Sequence, residues 1–244
     1  MHLKLIACEV FTREVCYCIA NSPHTIDPEF TKIGSHTNSD KLRAIIQEKI
    51  DEANKGQRKY DALVLAYGLC GNATVGLYSR NLKIIIPRVH DCGGLLLESG
   101  LRFKEHFGEN PSQPFWSSGH LERSKDGEVS EVTSWFNQTF TEYVRLYGED
   151  NAKYLIESLK LAVPEERMVY IEIPETKRAD NAVKSRIMAR KEKKKYYKME
   201  GSIRLIRDLT HGVWDKKYFL IMEPNQKTVG IYDWNEVIAA EEVI

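Results

Sequence analysis

Three cysteines and one histidine stand where loops would gather: Cys8 in "LIACEV", Cys70 in "YGLCGN", and Cys92 with His90 in "RVHDCGG". Thiolate and imidazole are ligands for zinc, which takes them in tetrahedral geometry and becomes reactive when the fourth position is open. His90-Asp91-Cys92 forms an His-x-Cys pair, and in an extended stretch residues i and i+2 point the same way. Cys70 or Cys8 would complete three ligands. An iron–sulfur cluster would instead take the three thiolates and leave one iron for His90, substrate or solvent. The spacing lacks paired Cys-x-x-Cys elements, so zinc and iron–sulfur both stay open.

A metal-free chemistry is the alternative. "GLCGNATVGL" would place Cys70 before a helix capped by Asn72 or Thr74, and a helix N-terminus lowers a thiol pKa enough to make a nucleophile. His90 or Arg88 would then assist. Glu9, beside Cys8, suits a general base or an acceptor behind a ligand, and equally a partner for Arg13. Gly68, Gly71, Asn72 and Gly93 are the loop positions able to approach a bound cofactor closely. Each cysteine alone is explained as a small buried hydrophobe, and His90 by a bond to a backbone carbonyl. Their joint placement favours a site.

That placement depends on strands. "HLKLIACEV", "YDALVLAYG" and "LKIIIPRVH" are apolar runs of strand length, and each leads into one of the cysteine loops. Helix-like segments separate them, above all "NSDKLRAIIQEKIDEANKG", which Asn38 or Ser39 caps and Gly56 stops. "FTREVCYCIA" fits a helix or a continued strand. This pattern predicts an α/β fold with a mostly parallel sheet, helices on both faces and room for two lobes. In such sheets ligands gather at the strand carboxyl ends, so the three thiols converge if their strands are neighbours.

The expected divisions are 1–105, an N-terminal α/β lobe carrying the Cys/His loops; 106–164, a helical and loop insertion; and 165–244, an α/β segment completing the fold. In the insertion "GENPSQPFWSSGH" reads as a loop, a lid or an aromatic plug, and "QTFTEYVRLYGEDNAKYLIESLKLA" as one or two helices. Beyond it "MVYIEI" is a strand, "NAVKSRIMARKEKKKYYK" a helix, "SIRLIRDLTHG" a short helix, and "KKYFLIM" the last strand.

Among 244 residues there are 35 Lys and Arg against 35 Asp and Glu. No overall field therefore draws the chain to nucleic acid or a membrane. The basic segment 184–198 reads as a solvated helix end, or less readily as a contact for an acidic partner. The opening residues lack a signal-peptide pattern and no segment reaches membrane-spanning length, so a cytoplasmic protein is expected. Five cysteines, an odd number, fit metal or thiol chemistry better than a disulfide framework.

As a set, "ACEV", "YGLCGN", "IPRVHDC", "PFWSSGHLE" and "GVWDKKYFLIMEPNQK" resemble the uncharacterised family called domain of unknown function 1638. The resemblance spans most of the chain and places Cys8, Cys70, His90 and Cys92 at recurring motif positions. It implies an origin in anaerobic bacteria or methanogenic archaea and a setting in one-carbon or corrinoid-linked methyl-transfer metabolism; the alternative to an enzyme there is a non-catalytic accessory that binds a corrinoid protein or methyltransferase. As analogies of site alone, zinc-dependent thiol methyltransferases use an His-x-Cys with a distant Cys. Quinolinate synthase and diphthamide-synthesis enzymes use three thiols around a four-iron cluster.

Overall fold

The computed structural model describes residues 1–35, 38–107, 115–123, 144–145, 148–150, 153, 167–231, 233 and 235–243. Strand β1, His2–Cys8, stops at a single 3-10 turn, Glu9–Phe11, and the chain continues into helix α1, Thr12–Ala20. The ambiguous "FTREVCYCIA" is thus resolved as helix. It buries Val15 and Cys18 beside Leu3, Leu5 and Ala7 of β1. Strand β2, Thr25–Thr31, follows, then helix α2, Ser39–Lys55. The Asn38 side chain accepts from the Lys41 N–H at 2.9 Å, the cap its position predicts.

Strands β3, Ala62–Ala66, and β4, Ile84–Pro87, come next, followed by helices α3, Cys92–Leu96, and α4, Gly100–Phe107. The principal sheet has the order β2-β1-β3-β4-β8, where β8 is Phe219–Met222. The first four strands run parallel and β8 pairs antiparallel with β4. The chain leaves β1 for β2 on one side and returns past β1 to β3. In open α/β sheets a reversal of this kind, here between β1 and β3, is where ligands bind, outside the strand carboxyl ends.

Alternation along the strands divides the core. Leu3, Leu5, Val64 and Ile85 join one cluster with α1. Ile6, Leu63, Leu65, Ile84 and Ile86 join another with Leu42, Ile46 and Ile50 of α2. β3 and β4 are buried at every position, as strands covered on both surfaces must be.

A second, three-stranded parallel sheet has the order β5-β6-β7, with β5 Phe115–Trp116, β6 Arg167–Glu172 and β7 Lys195–Glu200. Helix α5, Ser118–Arg123, follows β5; α6, Ala179–Lys191, and α7, Arg204–His211, flank β7. The long helix expected over "NAVKSRIMARKEKKKYYK" ends at Lys191. Lys193 turns left-handed with φ 55°, and Tyr196–Glu200 pair with β6 as strand. The aromatic, edge-compatible "KYYKME" outweighs the lysine-rich helix pattern. "FWSSGH", expected as loop, instead forms β5 and the start of α5.

β8 is also not the last strand, because an antiparallel hairpin of β9, Gln226–Gly230, and β10, Ile238–Glu242, follows it. Most of the segment 138–162 expected as helix, and most of the insertion 106–164, lie outside the described residues; residues 144–145, 149–150 and 153 are helical. Among those described, no helix is long and apolar enough to cross a membrane.

Glu14 on α1 is 2% exposed. Thr176 Oγ1 donates to its Oε1 at 2.6 Å, and Oε2 has no hydrogen-bond partner among the described residues. Burial raises its pKa, with Glu122 adding repulsion against the attraction of Arg13. A carboxyl whose folded pKa exceeds its unfolded value stabilises fully below the unfolded pKa, and that contribution is lost as pH rises through the folded pKa. Glu14→Gln is therefore expected to raise the melting temperature by a few degrees at neutral pH. The gain should shrink on acidification toward the ordinary carboxyl pKa of 4.5. Thermal scans of both proteins across that range check it; a constant gap would show that folding does not raise the Glu14 pKa.

Candidate functional site

β1, β3 and β4 are adjacent, so the cysteine loops are neighbours as well. Cys8 ends β1 and packs against both core clusters. The loop after β3 is tied to the loop after β4 by backbone bonds, Leu69 N–H to Val89 O at 3.0 Å and Cys70 N–H to His90 O at 2.9 Å. Gly68 permits this contact: a Cβ there would stand 2.6 Å from Val89 O and 2.7 Å from Asp91 N. Asp91 then N-caps α3, its Oδ1 accepting from Gly94 N–H at 3.0 Å, and Cys92 is the first helical residue.

The loop carrying Cys70 is unusual. Cys70, Gly71 and Asn72 all have left-handed backbone, with φ of 47°, 65° and 70°. For a residue with a Cβ this conformation costs about 1–2 kcal/mol. α2 braces the loop from below: Ser39 Oγ donates to Gly71 O, and the Arg43 guanidinium to Asn72 O at 2.8 Å. No helix starts after Cys70. Residues 70–76 are turns, so the helix field invoked for a nucleophilic Cys70 does not exist.

All five cysteines are free thiols, and Cys8, Cys70 and Cys92 are each only partly covered as residues. Their mutual proximity is electrostatic as well as topological. Burial pushes the Cys70 thiol up to about 12, with Asp91 and Cys8 adding to it. Burial likewise raises Cys92 well above the ordinary thiol value, with further contributions from Asp91, Cys70 and Cys8. Tyr67 is fully buried beside them. Desolvation and then the negative potential of Cys8 raise its phenol pKa, and its hydroxyl pairs with Thr31 Oγ1 at the end of β2. Among the described residues, no three His, Cys, Asp or Glu side chains are drawn close enough to hold a metal ion as they are now oriented.

The remaining expected residues are distributed unevenly. The His90 ring donates to the Asp233 carbonyl. Burial lowers its pKa against the pull of Asp91 and Asp233. The extended geometry assumed for His-x-Cys fails because Cys92 is already helical. Glu9 Oε1 accepts from Ile33 N–H at 2.8 Å, securing the segment after β2. Gly93 is buried in the first turn of α3.

One residue outside that set reaches the thiols. His120 Nε2 lies 3.9 Å from Cys92 Sγ. Its Nδ1 lies 3.2 Å from Ser117 N and 2.9 Å from Ser117 Oγ. Phe115 meets the ring edge-on at a centroid distance of 5.8 Å. Helix α5 is positioned by Ser118 Oγ on the Tyr170 hydroxyl at 3.0 Å and by Glu122, which takes Arg13 at 2.7 Å and Asn181 at 2.8 Å. The sequence signal was an aromatic pair followed by Ser-Ser-Gly-His, which marks a close approach without saying to what.

Fold and site together define an α/β protein with three free thiols and an imidazole at the carboxyl end of a mainly parallel sheet. The chain belongs to the family described as "Protein of unknown function (DUF1638)", whose model matches residues 30–210. The matched span contains Cys70, Cys92 and His120; Cys8 at the end of β1 precedes it. No curated protein and no solved structure matches the chain.

Proposed function

We propose that this is a metal-binding protein in which Cys8, Cys70 and Cys92 hold zinc or an iron–sulfur cluster. The observation that carries the reading is the delivery of three free thiols from the ends of three adjacent strands, at the point where the sheet changes direction. The donor set suits both groups, since each accepts three thiolates and keeps one position for another ligand. The three sulfurs would close around the metal as it binds, so binding would be coupled to local ordering. The left-handed Cys70 supports the same reading, because backbone strain is retained where a side chain is needed in one place.

When bound, the metal would supply Lewis acidity or electron transfer at the open position. The chain's own residues hold the sulfurs, and Tyr67 and Thr31 close the floor beneath them. A metal-free thiolate enzyme fits less well, because burial raises both Cys70 and Cys92 and leaves little thiolate at neutral pH. Corrinoid-linked methyl transfer, the setting suggested by the family resemblance, stands or falls with the metal.

Protein purified without oxygen is expected to carry about one zinc or about four iron per chain, the latter with visible absorption. Cys70→Ser is expected to lose most of it while remaining folded. Protein holding neither metal in stoichiometric amount, with no change in Cys70→Ser, overturns the proposal.

A further inference from the structure

We infer that His120 is a positioning residue of the three-cysteine site, acting as an N–H donor to the Cys92 sulfur and not as a metal ligand. The inference rests on the metal-site reading and extends it. Its warrant is the partner on the far side of the ring. A backbone N–H can only donate, and that of Ser117 points at His120 Nδ1 from 3.2 Å. Nδ1 is therefore the acceptor, and the ring hydrogen of the neutral imidazole sits on Nε2. Nε2 is the atom 3.9 Å from Cys92 Sγ, at the long end of reach for a sulfur acceptor.

Two consequences follow from that tautomer. A protonated Nε2 has no lone pair for a metal, so His120 does not fill the fourth position. It also cannot take the thiol proton as a general base, because its accepting nitrogen faces Ser117. What remains is N–H···S donation, which draws charge from a bound thiolate and fixes its rotamer. The two histidines thus have separate tasks: His90 ties its loop to the Asp233 turn, and His120 orients one sulfur. Neither histidine fills the fourth position.

The aromatic segment supplies the rigidity this requires. Phe115 packs on the ring edge, and Gly119 lets α5 approach the Val10 backbone more closely than any side chain would allow. His120 is carried by that approach to Cys92.

Two measurements test the assignment. Nitrogen-15 NMR of the imidazoles in metal-free protein, with the His120 signal identified by its loss in His120→Gln, is expected to show hydrogen on Nε2. Hydrogen on Nδ1 overturns the inference, whatever the metal content. With cobalt(II) added under anaerobic conditions, His120→Phe is expected to bind about 10- to 100-fold more weakly. Its thiolate-to-cobalt band should move to lower energy, because the sulfur keeps more charge. His120→Gln, which retains an N–H of similar reach, is expected to restore both. An unchanged affinity and band in His120→Phe overturns the inference and leaves the three-cysteine site standing. Wild-type protein that takes up no cobalt(II) overturns the site itself, and the NMR result then decides the tautomer alone.

Discussion

Gly119→Ala is expected to destabilise the protein by about 3 kcal/mol, the upper range for overpacking, and to detach His120 from Cys92. Within a helix alanine is normally better than glycine by about 1 kcal/mol, so the sign rests on local contacts. A Cβ at Gly119 would stand 1.7 Å from the Val10 carbonyl oxygen and 2.6 Å from its carbonyl carbon. Both are backbone atoms at the turn that ends β1, and neither can rotate aside. α5 must retreat, yet Ser118 on Tyr170 and Glu122 on Arg13 and Asn181 hold it at both ends. For a chain of this size the loss corresponds to a fall in melting temperature of about 6–12 °C, at roughly 2–4 °C per kcal/mol. Thermal unfolding followed by circular dichroism reads it. A melting temperature at or above the wild-type value would mean that α5 does not pack on Val10.

The parts of the fold that sequence made legible are those whose side chains decide their own environment. β1, β3 and β4 are apolar at nearly every position, and only a sheet covered on both surfaces accommodates that. The stripe Leu42, Ile46, Ile50 and Ala53 fixes one buried face of α2, and Asn38 marks its start. β7 escaped because its pairing is made by backbone atoms, while its side chains, Lys195 and Lys198 among them, advertise solvent. β9 and β10 escaped for a similar reason: short, half-exposed strands of a hairpin carry too few buried residues to stand out. The structure of "FWSSGH" depends on Tyr170 and Val10, both distant in sequence.

The site divides along the same line. Cysteine announces its chemistry by type, so Cys8, Cys70 and Cys92 could be singled out, and strand ends gave them a reason to meet. Orientation could not be read. Asp91 is a good helix cap in front of "CGGLL", and that local signal ends the extended stretch and separates His90 from Cys92. His120 lies 28 positions beyond Cys92, and Tyr67 is set among the thiols by the register of β3. Neither distance nor register is written in a single segment of chain.

Gly68→Ala is expected to damage stability and metal binding together, and the comparison with Cys70→Ser separates the two. A Cβ at this position would meet Val89 O at 2.6 Å, Asp91 N at 2.7 Å and His90 C at 2.9 Å. These atoms form the loop that delivers Cys92, and the Leu69 and Cys70 N–H groups bond to its carbonyls. Thr74 Oγ1 further pins Gly68 by donating to its carbonyl at 2.9 Å. Alanine therefore has to push the two cysteine loops apart, stretching both bonds and drawing Cys70 away from Cys92. A loss of about 2–3 kcal/mol is expected from overpacking, with metal content falling alongside it. Cys70→Ser removes a ligand without adding an atom to the interface, so its metal-free stability should remain near wild type. If Gly68→Ala keeps full metal content while its melting temperature falls, the thiols do not depend on the contact between these loops. If it keeps both, the loops do not touch.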